Sequence, residues 1–126
     1  MPAAVVNYMQ EGSRGEGDCG IVALASYLGC AYTDVLRATT LVDRNMGKRG
    51  LWRRTMVRIA GVLGHSLKIR RRFDLAEDYG VLVTPNHAVV LRSGLVLDRL
   101  AVWDAEDYLR AEKLCVTDCQ LLVAEE

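Results

Sequence analysis

From Cys19 to Tyr27 the chain carries an almost unbroken run of small and aliphatic side chains that ends at Leu28-Gly29. A run of that length, entered at Asp18 and left at a glycine, predicts a buried helix capped by Asp18 and stopped by Gly29. Ahead of it, Gly12, Gly15 and Gly17 stand among alternating charges, so the first eighteen residues read as an irregular loop. Thr33 predicts the start of a second helix through Asp34, Val35, Leu36 and Leu41, with Val35, Leu36 and Ala38 near one side. The stretch after Asp43 is loop-like. From about Leu51 to Leu63 a third helix is expected, because Leu51, Met56, Ile59, Ala60 and Leu63 form one stripe with Arg53, Arg54 and Arg58 off it; Gly64 ends it.

Beyond His65 the period shifts toward two. Leu67, Ile69 and Arg71 alternate with Lys68, Arg70 and Arg72, as in a strand with one basic face. Tyr79 to Val83 and Ala88 to Leu91 are short apolar runs of buried-strand type, and Ser93-Gly94 predicts a hairpin turn into Leu95-Val96-Leu97-Asp98. Trp103 to Lys113 reads as a short helix begun by Asp104, and Leu114 to Val123 as a last strand. Helices first and strands later give an α+β class, with N-terminal helices packed on a C-terminal antiparallel sheet.

Composition narrows this further. A chain of 126 residues, 51% hydrophobic and 25% charged, suits a single domain over 1–126 with one core. No apolar run approaches the roughly 20 residues of a membrane-spanning helix, and Met-Pro-Ala-Ala-Val-Val-Asn has no basic segment followed by a long apolar one. The expected location is cytoplasmic, with no membrane span. Cys19, Cys30, Cys115 and Cys119 form no paired CxxC pattern, and His65 and His87 are the only other soft ligands. Reduced thiols are therefore expected, with no metal and no cofactor. Cys115 and Cys119, four apart, would share one strand face in the core; Cys30 reads as buried, His65 as a turn or surface residue, and Trp52 and Trp103 as anchors of helix packing.

Two segments carry chemistry. Asp18-Cys19-Gly20 puts a thiol at the first turn of a helix, where unpaired backbone N–H groups and the positive dipole end favour thiolate. Gly20 leaves room beside the sulfur, and the Cys19 N–H can point at a developing oxyanion. The alternative is a small core residue, since free cysteine is commonly buried. Asn86-His87-Ala88-Val89-Val90-Leu91 sets a histidine at the mouth of a strand whose hairpin partner ends at Asp98. With Ser93-Gly94 as the turn, Leu91 lies near Leu95 or Val96, and a slight stagger brings the His87 imidazole to the Asp98 carboxylate. Such a pair fixes the tautomer of a base; a purely structural histidine is the alternative.

These residues resemble the papain-like cysteine peptidases, and within them the bacteriocin-processing peptidases that cut double-glycine leader peptides. Asp18 to Gly29 is similar to that family's nucleophile helix, and His87 to Leu91 followed by Val96-Leu97-Asp98 to its histidine and aspartate strands. Gly50-Leu51 through Leu63-Gly64 resembles the helix between them, so the similarity spans roughly Gln10 to Leu100. The resemblance implies a papain-like fold, Cys19 as nucleophile, His87 as base, Asp98 as its orienting partner, and a peptide or protein substrate cut by hydrolysis or passed on by acyl transfer. It also implies a glutamine as second oxyanion donor. Gln10 is the only upstream glutamine, and it stands nine residues before Cys19 where the family has six, so Glu11 to Gly17 would hold three extra residues. The chain lacks the transporter domains to which many of these peptidases are fused.

Formal net charge is zero, yet ten basic residues (Arg44, Lys48, Arg49, Arg53, Arg54, Arg58, Lys68, Arg70, Arg71 and Arg72) lie between Asp43 and Asp74 with no acidic residue among them. This 44–72 region is either a solvated face balanced by the acidic C-terminal part or a docking patch for an acidic partner or a nucleic-acid phosphate backbone. Trp52 alone among Trp, Tyr and Phe falls within this region, too few for the interleaved aromatics of a base-stacking surface, so sequence-specific nucleic-acid binding is not expected. A non-catalytic adaptor that binds an acidic macromolecule through this region is the alternative to an enzyme.

Overall fold

The computed structural model describes residues 19–42, 53–85, 87–98 and 101–125. Helix α1 (Cys19–Leu28) buries every residue from Gly20 to Ser26, as its nearly all-apolar sequence requires. Gly29, at φ +71°, ends it, and the Cys30 N–H reaches back to the Ala25 carbonyl at 3.1 Å. Helix α2 (Tyr32–Val42) starts one residue before Thr33, which lies inside the helix and does not cap it; the Val35 N–H bonds the Ala31 carbonyl at 3.2 Å. Helix α3 (Arg53–Val62) buries Met56, Ile59 and Ala60 of the expected stripe and ends at Gly64, φ +86°.

Six strands follow: β1 (Leu67–Arg70), β2 (Tyr79–Val83), β3 (Ala88–Arg92), β4 (Leu95–Asp98), β5 (Ala101–Asp104) and β6 (Gln120–Ala124). They form one antiparallel sheet in the order β1-β6-β2-β3-β4-β5. Ser93 and Gly94, at φ 47° and 84°, make the β3–β4 turn, and Leu91 pairs with Val96.

Both sheet faces are covered, which explains why β2 and β3 read as continuous apolar runs. Val81, Ala88, Val90, Leu97 and Leu122 pack against Ile21, Leu24, Val35, Met56 and Ile59 of the three helices. Leu82, Val89, Leu91, Val96 and Leu121 meet Ala105, Tyr108 and Leu109 of α4 (Ala105–Ala111) on the other side. The α+β class is thus observed, with the N-terminal helices on one face and a C-terminal helix added to the other.

The C-terminal third departs from the sequence reading in three places. Residues 101–104 form an edge strand on β4, so Trp103 lies in a strand, 41% exposed, and not in a helix; its ring meets Tyr108 edge-on at 6.3 Å between centroids. Asp104 does cap α4, accepting the Asp107 N–H at 3.1 Å, but the helix ends at Ala111. The last strand starts at Gln120, because Asp118 accepts the Cys115 N–H at 2.8 Å and closes a 3-10 turn over Val116–Asp118. Cys115 is consequently exposed on that turn while Cys119 is buried, so the two do not share a strand face. At the other edge, β1 stops at Arg70, leaving Arg71 and Arg72 outside it.

Candidate active site

Three elements converge at one end of the sheet. Cys19 opens α1, which packs on β3; His87 stands immediately before β3; Asp98 is the last residue of β4. The pairing of Val90 with Leu97 places His87 and Asp98 at the same end of adjacent strands, within side-chain reach. His87 Nε2 and Asp98 Oδ1 are 2.9 Å apart, and the two side chains are 21% and 25% exposed. The same imidazole hydrogen-bonds the Cys19 sulfur. Since Nε2 is engaged by Asp98, Nδ1 is the nitrogen left for the thiol.

These contacts control protonation. His87 is raised from 6.5 to about 10, first by the Asp98 hydrogen bond and then by the Cys19 hydrogen bond, against partial burial that lowers it. Asp98 and Cys19 together thus favour the protonated form of the His87 ring.

Two neighbours without an obvious sequence signal support the site. Thr84, 6% exposed, donates to the His87 carbonyl through both its N–H (2.9 Å) and its Oγ1 (3.1 Å), clamping the histidine backbone. A threonine ending an apolar strand before Pro85 was the only hint of that role. Tyr108 of α4 lies behind Asp98: its hydroxyl is buried with no hydrogen-bond partner among the described residues, and burial followed by the Asp98 charge raises its pKa. Gln10, the expected second oxyanion donor, and Asp18, the expected helix cap, lie outside the described residues.

A second cysteine–histidine pair provides an internal contrast. Cys30 Sγ and His65 Nε2 are 4.0 Å apart at the opposite end of α1. No carboxylate bonds His65 among the described residues, and burial together with the Asp34 charge raises the Cys30 pKa. Cys30 sits beyond the negative end of the helix dipole, and Cys19 at the positive end.

No group of three or more metal-ligating side chains occurs among the described residues, and no helix is long and apolar enough to cross a membrane. No family model matches the chain, and no curated protein or solved structure matches it.

Proposed function

We propose that the protein is a cysteine peptidase of papain-like type, acting in a reducing, cytoplasmic setting, with Cys19 as nucleophile. The observation that supports this most is one imidazole bonded both to the sulfur of a helix-opening cysteine and to the Asp98 carboxylate. The Cys19 thiolate attacks a peptide or isopeptide carbonyl carbon, forming a C–S bond as the carbonyl π electrons move to oxygen. The Cys19 N–H, at the first turn of α1, is the group assigned to that oxyanion, and the resemblance assigns Gln10 as its companion. The imidazolium of His87 gives its Nδ1 proton to the departing amine as the C–N bond breaks, leaving a thioester. Water then attacks, His87 takes its proton, and the carboxylic acid departs with the thiolate restored; an amine in place of water would give acyl transfer. Asp98 holds the ring orientation throughout.

The test is competitive labelling with iodoacetamide at pH 7 and peptide mapping. Cys19 should react at least about tenfold faster than Cys30 and Cys119, whose pKa values burial raises, and faster than exposed Cys115. Labelling of Cys115 ahead of Cys19, or equal rates at Cys19 and Cys30, would contradict the assignment.

A further inference from the structure

Beside the triad, at the same end of the sheet, lies an open cleft of about 390 Å³ lined by Arg53, Arg71, Thr84, Thr117, Asp118 and Gln120 among others. Its floor is Val83, which pairs with Ala88 of β3 on one side and Gln120 of β6 on the other. Thr84 belongs both to this lining and to the clamp on the His87 carbonyl, so the cleft and the triad share a wall.

The chemistry of the cleft is lopsided. Neither Arg53 nor Arg71 forms an ion pair among the described residues. One oxygen of the Asp118 carboxylate accepts the Cys115 N–H at 2.8 Å, so the cleft sets two guanidinium charges against one carboxylate. The Gln120 side-chain oxygen, an acceptor, is buried without a hydrogen-bond partner among the described residues. The two guanidinium groups and the Thr117 hydroxyl are donors suited to a carboxylate, which guanidinium binds in bidentate fashion; the Thr84 hydroxyl already donates to the His87 carbonyl. Among the described residues no aromatic side chain lines the cleft, as a stacked nucleobase would require.

We infer that this cleft is a subsite for a carboxylate of the peptide substrate, held by Arg53 and Arg71 next to His87. The inference rests on the peptidase reading for its substrate class, but binding tests it without turnover. The full-length Cys19→Ala protein is titrated by amide NMR with three acetylated pentapeptides: Gly-Gly-Glu-Gly-Gly amide, Gly-Gly-Gln-Gly-Gly amide, and Gly-Gly-Gly-Gly-Gly with a free C-terminus. The Glu peptide should shift Thr84, Thr117 and Gln120 and bind at least about tenfold more tightly than the Gln peptide at low salt, with the difference shrinking as salt rises. Binding of the free-acid peptide alone would assign the carboxylate to the substrate's C-terminus, and binding of the Glu amide alone to a side chain; either supports the subsite. Arg53→Gln with Arg71→Gln should abolish the preference while leaving the rest of the spectrum in place. Equal affinity for the Glu and Gln peptides without free-acid binding, shifts that survive the double substitution, or a stronger response to inorganic phosphate than to any peptide would overturn the inference. Iodoacetamide labelling of Cys19 judges the peptidase reading separately.

Discussion

Cys19→Ala isolates the His87–Asp98 pair, and stability against pH then measures it. On the proposed reading the wild type holds an imidazolium–thiolate pair, which carries one proton as do a neutral imidazole and a thiol in the unfolded chain, so the two titrations would partly cancel. Without the sulfur, Asp98 remains the first influence raising His87, and an opposite charge in hydrogen-bond contact raises a histidine by roughly 1–3 pKa units. The folded pKa then falls between the ordinary 6.5 and the wild-type value of about 10. Because it is raised, the pair's contribution is fully present below pH 6.5 and is lost as pH climbs through the folded pKa. At about 1.4 kcal/mol per pKa unit, and with both side chains about one-quarter exposed or less, the loss should be about 1.4–4 kcal/mol. Urea unfolding of Cys19→Ala from pH 6 to pH 10 reads the slope, and the same series on Cys19→Ala with Asp98→Asn subtracts the remaining cysteines and tyrosines. An NMR titration of the imidazole should place His87 above 6.5 in the first protein and below 6.5 in the second, where burial alone acts on it. Identical pH profiles for the two proteins, or a His87 pKa at or below 6.5 with Asp98 intact, would refute the reasoning.

Cys119→Ala should lower stability by about 1 kcal/mol in denaturant unfolding, since its thiol is buried among Leu82, Leu121 and Leu109, whereas Cys115→Ala on the exposed turn should stay within about 0.5 kcal/mol. Gly80→Ala should cost about 3 kcal/mol or more by the same measurement, because the added methyl would run into the Leu122 carbonyl oxygen and sit 2.9 Å from Leu121 Cγ at the centre of the sheet.

What the sequence revealed and what it hid follow from where each signal resides. Helices α1 and α3 were legible because a glycine in left-handed conformation ends each of them, and β3 and β4 because Ser93-Gly94 fixes a two-residue turn and with it the register. Strand β5 was not legible. Ala101 to Asp104 is exposed along its whole length and shows no inward alternation, so only pairing with β4 makes it a strand. Lys113 hid the end of α4 in a similar way: it adopts φ 58° at a helix terminus where glycine is the usual marker, and the Leu114 N–H closes on the Leu109 carbonyl at 2.9 Å.

The candidate site was legible for a different reason, since its members are tied by a short hairpin whose register is fixed locally. The harder discrimination lay between two cysteines that each end up near a histidine, and proximity alone would not separate them. Cys30 and His65 meet past the carbonyl end of α1, where the dipole and Asp34 oppose a thiolate and no described carboxylate holds the ring. Cys19 and His87 meet at the amide end, where the dipole favours a thiolate and Asp98 orients the imidazole at 2.9 Å. A ten-residue helix thus places one thiol at each pole. The sequence already marked the poles, with Asp18 before one and Gly29 before the other, so the polarity of the helix, and not the count of cysteines and histidines, singles out Cys19.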